Sequence, residues 1–495
     1  MSRQKFRTAQ LALTVTAVVA VTPFVSGPVA AASPTPSLHY RVVDLGTFGG
    51  PNSAETQEFP YVNDAGLVVG FADTATPDPD NGEGFVFHAF GWQGGPMKDL
   101  GTLPGGTNSF AIWSNTAGAV VGLSETGHTD PLLGAPASHG ALWQNGRVVD
   151  LGTLGGHESL ATYINERGQV VGVAADAQPD DVSLFGWGTR TRAFLWERGV
   201  MRDLGTLGGP DAGAFAVDGS GRVAGASYTN STPNADTGMP TLDPFLWVKG
   251  KMTDLGTLGG TVGFANGIND RGQVVGQSNL AGNEAAHPFR WSDGKLKDLG
   301  TLGGSFGTAT WTNDAGEVVG GATIENDQGF HAFFWRDGRM TDLGTVGDDT
   351  CSVAHFMNAS GLVVGTSGDC DGEFEEHGFV SVRGAGMVDL NAFLPKGSEL
   401  TITDGETVNE NGEIAASGRL PNGDFHAVVL IPCTGGDDPE CRTATSGDVG
   451  TARAATARHA SRPWTPARIG TTVSTFHRLL SASRRAASPL AGGPR

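Results

Sequence analysis

A chain of 495 residues exceeds what one ordinary hydrophobic core supplies, so it must be built of several domains or of repeats. With 76 glycines and only 17% charged residues it reads as neither a helical bundle nor a coiled coil. Glycine and proline together, about a fifth of the chain, stay below the level where disorder is the default. The net charge of −20 divides into +3 over residues 1–32, −31 over 33–441 and +8 over 442–495. A body that acidic repels phosphate backbones, which argues against nucleic acid as a partner.

The first element in chain order has the form of a signal peptide. A basic stretch, MSRQKFRT, precedes the apolar LALTVTAVVAVTPFV, and VAAAS supplies small residues for cleavage after Ala32. The apolar stretch is short for a membrane span and contains Pro23, and no later segment could cross a bilayer. The expectation is a secreted, extracellular protein without a transmembrane segment after cleavage.

From Tyr40 onward the chain repeats itself. The string VVDLGTFGG returns in variant forms with aspartates at Asp44, Asp99, Asp150, Asp203, Asp254, Asp298, Asp342 and Asp389. An Asn/Asp-x-x-Gly string followed by a short apolar run places glycines from Gly66 to Gly412 at spacings of 44 to 53 residues. Asx opening and Gly closing a turn join two antiparallel strands, and the Trp-x-x-Gly steps form a second hairpin. One unit is therefore strand A, turn, strand B, loop, strand C, turn, strand D, then a GTLGG crossover. Four antiparallel strands every 45–50 or so residues predict an all-β fold, a β-propeller. The cycle opens on a D strand, LHYRVVDLG, and stops at a C strand, DFHAVVLIP. Eight four-stranded blades closed by the N-terminal strand use every element. An open solenoid, two smaller rings or seven blades are the alternatives.

Strand C carries a third string. His88-Ala89-Phe90 and His331-Ala332-Phe333 are its full copies, and Pro244-Phe245-Leu246 departs from it. With the DLGTLGG string alongside, residues 40–430 resemble the bacterial extracellular HAF-repeat family. The resemblance implies a secreted, kelch-like propeller and carries over neither a catalytic residue nor a ligand.

The recurring aspartates sit in equivalent places, which points to a structural bond with the glycine-rich crossover that follows each. The histidines His88, His139, His287, His331, His377 and His426 recur the same way, as packing elements. Chemistry is therefore sought where the repeat is irregular. Counted from the glycine of each VVG or VAG string, the first four B–C loops run about 16–20 residues and the last four about 7–11. A lopsided rim of this kind suits one recognition region. In the third loop Asp180 and Asp181 lie close to Phe185 and Trp187, a set able to hold a sugar, with Trp187 expected to contribute most. In the seventh, Asp369, Asp371, Glu373 and Glu375 offer oxygen ligands for calcium, without the EF-hand spacing. No other cofactor is expected.

Four cysteines in an exported chain predict two disulfides. Folding the hairpin about Asn358–Gly361 brings Cys351 opposite Cys370, which leaves Cys433 for Cys441. After Cys441, residues 442–495 are rich in Ala, Thr, Ser, Pro and Arg and read as a disordered tail. The ordered body is 33–441. The function expected is a non-enzymatic scaffold binding an extracellular glycan or protein through the long-loop face. A polysaccharide-acting hydrolase or lyase and a calcium-stabilised structural module are the rivals.

Overall fold

The computed structural model describes residues 38–54, 60–79, 84–370, 376–433 and 440–444. The chain separates into Met1–Pro36 and Ser37–Arg495, and the signal-peptide reading falls on the first, outside the described residues. Among those described, no helix is long and apolar enough to cross a membrane.

The described chain is almost wholly β, with antiparallel A-B-C-D units following one another from Tyr61 to Asp389. Unit 3 is representative: A Gly155–Ile164, B Val170–Pro179, C Thr189–Glu197, D Val200–Asp203. At its A–B turn Asn165 Oδ1 accepts from the backbone N–H groups of Arg167 and Gln169 at 3.0 Å. The φ of +74° at Gly168 is one that a side chain would disfavour. At the C–D turn Arg198 and Gly199 both have positive φ, as a two-residue hairpin requires.

The glycine of the VVG string has a steric cause. A Cβ on Gly172 would lie 2.0 Å from the Leu160 carbonyl oxygen of strand A. That close approach accompanies a bulge in strand A, where the register to strand B shifts between Ala161 and Tyr163. Phe90, Phe194, Phe245, Phe289, Phe333 and Phe379, from the third string, are fully buried between units.

The final unit has A Thr401–Val408, B Ile414–Arg419 and C Phe425–Pro432, and its fourth strand is Leu38–Asp44 from the start of the body. Tyr40 pairs with Pro432 and Asp44 with Val428. Arg442–Ala444 adds a further strand on the other edge of Leu38–Asp44. This strand lies within the stretch expected as a tail from 442; residues 445–495 are outside the described residues. Cys433 and Cys441 are joined and hold the chain at this return, with Cα atoms 6.3 Å apart. Cys351 and Cys370 are joined across their hairpin at 5.1 Å.

Neighbouring units are tied through the turn asparagines. Asn63 Nδ2 donates to the Asn115 carbonyl at 2.7 Å, Asn115 to Asn165 at 3.1 Å and Asn165 to Asp218 at 2.8 Å. The series resumes from Asn269 to Asn313, Asn358 and Asn409. Asn409 then donates to the Asn63 carbonyl at 2.9 Å. Asp218 cannot donate, and there Gly219 N–H binds Asp270 Oδ1 instead, at 2.7 Å. Two residues before the turn asparagine, Tyr61, Trp113 and Tyr163 stack in sequence at 3.6 and 4.3 Å. Trp311 of a distant unit lies 5.9 Å from Trp113, so the A strands are innermost and aromatic rings fill the space between them.

Candidate functional site

The recurring aspartates each cap the crossover that follows. Asp150 Oδ1 accepts from Gly152 N–H at 2.7 Å, and Asp44, Asp99, Asp203, Asp254, Asp298 and Asp342 bind the corresponding glycine at 2.7–2.9 Å. Asp389 binds Asn391 N–H in the same way. Strand C supplies a second partner: His88, His139, His287, His331 and His426 place Nδ1 2.8–3.0 Å from Asp99, Asp150, Asp298, Asp342 and Asp44. These histidines are more than the packing elements expected. Burial raises the Asp44 carboxyl, but the hydrogen bonds from His426 and Gly46 outweigh it, leaving Asp44 below the usual range. Asp150 and Asp342 are lowered for the same reasons.

The exceptions are informative. His377 turns to Asp349 at 3.0 Å. In unit 4 the histidine position holds Asp243, whose carboxyl is raised to about 7 by burial and by Asp254 beside it.

The long-loop side differs from the expectation. Much of its length is strand: the B strands of units 1–3 run ten residues, against six or seven in units 4–8. Phe185 and Trp187 are 2% and 4% exposed and pack with Leu160, Val173 and Tyr228 in an apolar cluster beneath the loops. Their rings brace the loop from beneath and, at that burial, present no face to a sugar. Asp180 Oδ1 accepts from Val182 N–H at 2.9 Å in a local turn, and Asp181 is exposed.

Buried acids support these loops from below. Glu158 Oε2 accepts from Ser138 N–H at 3.0 Å, and burial, with Asp130 beside it, pushes its carboxyl up to about 8. Asp211 accepts from Leu184 and Thr191 N–H and is raised by burial to about 7.

Of the acidic loop, Asp371, Glu373 and Glu375 lie outside the described residues. Asp369 accepts from Thr350 Oγ1 at 3.0 Å. Glu376, at the loop's end, is raised to about 7 by burial and by Asp404.

Asp404 belongs to a group that the sequence reading missed. His355, Asp404 and Glu406 are 7%, 7% and 2% exposed, and each offers a ligand-type atom within 4.8 Å of the others. His355 Nε2 is 3.6 Å from Asp404 Oδ1, and Nδ1 is 3.9 Å from Glu406 Oε2. Thr366 Oγ1 lies 3.2 Å from His355 Nε2, and Ser417 Oγ donates to Glu406 Oε1 at 3.4 Å. His355 and Glu406 are the extra residues of the strand-A bulges in units 7 and 8. A signal existed in the repeat itself. Aligned on the turn asparagine, this position reads Ile112, Thr162, Phe215, Asn266 and Thr310 before changing to His355 and Glu406.

No family model matches the chain, and no curated protein matches it. Solved structures do. The β-propeller domain of the Trilobed protease from Pyrococcus furiosus is similar at 10% identity, covering 69% of this chain and 99% of that one, with a TM-score of 0.41. Dipeptidyl peptidase 4 from Porphyromonas gingivalis is similar at 13% identity over 73% of this chain and 59% of its own, with a TM-score of 0.40. The polysaccharide lyase Uly1 is similar at 7% identity over 81% of this chain and all of its own, with a TM-score of 0.36.

Proposed function

We propose that this chain is a secreted, non-enzymatic binding scaffold of the HAF-repeat type. Its body is an eight-bladed propeller closed by the N-terminal strand, and it takes an extracellular glycan or protein on the long-loop face. The pairing of Leu38–Asp44 with Phe425–Pro432 and the return of the asparagine bonds to Asn63 support the closed ring. The two disulfides accord with an oxidising compartment.

The observation that carries the binding surface is exposure. Leu132 and Met239, on the second and fourth B–C loops, are 58% and 39% exposed although apolar. They stand on loops braced from below, as contact residues on a rigid scaffold do. Recognition by such a surface needs no cofactor. A glycan and protein-binding array on the purified chain tests the reading. Leu132→Asp with Met239→Asp should weaken the ligand found at least tenfold and leave the melting temperature unchanged. Undiminished binding would move the surface elsewhere.

The rival reading, a polysaccharide hydrolase or lyase, draws on the paired acids Asp404 and Glu406 on strand A of the last unit. Their burial favours the scaffold, because a sugar ring does not reach carboxylates less than a tenth exposed. Polysaccharide turnover by the native chain, abolished by Asp404→Asn, would establish the enzyme instead.

A further inference from the structure

We infer that His355, Asp404 and Glu406 form a site for one divalent transition-metal ion, which staples the seventh unit to the eighth. Thr162 Oγ1 donates across the unit boundary to the Ala214 carbonyl at 3.0 Å, and Thr310 Oγ1 to Ala354 at 2.8 Å. Asn266 Nδ2 donates to Ala309 at 2.7 Å. The bulge position is thus a junction bond between successive A strands. At the 7–8 junction it holds an imidazole, and one unit later a carboxylate.

The backbone departs from the repeat at the same place. Besides the common bulge, the A–B ladder of unit 8 has a second register shift, between Ile402 and Asp404. The position equivalent to Asp404 holds Glu58 in the first unit but Phe110, Leu160, Gly213, Phe264, Thr308 and Val353 in the others, so the repeat itself does not need an acid there. Bulges re-aim side chains, and two of them here bring Asp404 and Glu406 to one imidazole.

One imidazole nitrogen and two carboxylate oxygens are a donor set that zinc and similar ions accept, with room for a further ligand. The 3.6 and 3.9 Å separations run from opposite ring nitrogens, of which one ion takes only one. With one ligand atom from each residue the set lies within 4.8 Å, against roughly 3.3 Å between ligands around a tetrahedral ion, so closure requires side-chain shifts of about an ångström. Thr366 and Ser417 contact the imidazole and the Glu406 carboxylate from strand B, as outer groups that orient ligands do.

The test uses the full purified chain after dialysis against EDTA, with zinc at pH 7 as the probe. Calorimetry should give one zinc per chain, and the melting temperature should rise as zinc is added. His355→Gln and Glu406→Gln should each weaken zinc at least tenfold, while His331→Ala, in an exposed His–Asp pair, should not. Equal zinc affinity in a folded Glu406→Gln variant would overturn the site. Should both variants fail to fold, cobalt loading of the native chain decides: a visible absorption band saturating at one equivalent supports the site, and its absence refutes it. Stabilisation by calcium and not by zinc would also refute it, and would redirect attention to the acidic loop.

Discussion

Units 1–4 and units 5–8 are written in one repeat and use it differently. In the first half long loops, and in units 1–3 ten-residue B strands, fold over Phe110, Leu160, Phe215 and Trp187, and two of the bulge positions, Ile112 and Phe215, are apolar beside Thr162. In the second half the loops are short and the bulge positions are Asn266, Thr310, His355 and Glu406. Units 4–7 also merge into one sheet, through parallel pairings such as Ala286 with Phe306. The scaffold is set by the DLG caps, the turn asparagines and the buried phenylalanines, which both halves keep. What sits on the inner strand is free to diverge. One half uses that freedom for an apolar support beneath an outer surface, and the other for polar groups inside.

The largest expected effect removes what both halves depend on. Deleting residues 33–45 takes Leu38–Asp44 from the last unit and exposes two strand edges. The variant should aggregate or lose its cooperative unfolding transition; equal solubility and heat resistance would show that the fold does not need this strand.

Trp187→Ala comes next and sharpens the contrast directly. A large-to-small change at a site 4% exposed should cost about 3–5 kcal/mol in denaturant unfolding. Retained stability with lost ligand binding would instead restore Trp187 as a contact residue.

In the second half, replacing Cys351 and Cys370 together by Ser opens a closed loop with a sequence separation of 19. The loss should be about 2–3 kcal/mol, read by chemical unfolding of the oxidised parent and the variant.

The smallest effect concerns pH. Glu158, Asp211 and Asp243 have folded-state carboxyls raised to about 8, 7 and 7. A raised carboxyl holds its proton in the folded state and releases it on unfolding, so its contribution is full below the unfolded value and is lost as pH rises towards the folded one. The melting temperature should therefore fall between about pH 5 and pH 8. Glu158→Gln keeps the acceptor for Ser138 and should recover on the order of 1–2 kcal/mol at pH 8, flattening the profile. An unchanged profile would show that Glu158 is not a source of the dependence.

Of the fold, the strand order and hairpins were legible because turns are local. Asn165, Gly168 and Gly199 act within a few residues of themselves, so their identities carry the conformation. The cysteine pairing followed from the same hairpin logic, since Cys351 and Cys370 flank one turn. Of the site, the irregular loops were legible but their use was not. Phe185 and Trp187 read equally as a sugar platform or as a brace, and the difference is where the loop folds, which depends on Leu160, Val173 and Tyr228 in other segments. His355 and Glu406 were visible as departures in an aligned column but carried no motif, being 51 residues apart.

By itself, then, the sequence determined the repeating antiparallel unit, its turns and its unlike termini, because these rest on short-range backbone preferences. Only the tertiary structure decided which side chains meet. The strand-A bulge turns an extra residue across each unit boundary, the asparagines reach the next unit's carbonyl, and His355 comes within 4 Å of Asp404 and Glu406. Those contacts join residues distant along the chain, and their geometry comes from the packing of whole strands, which no local preference encodes.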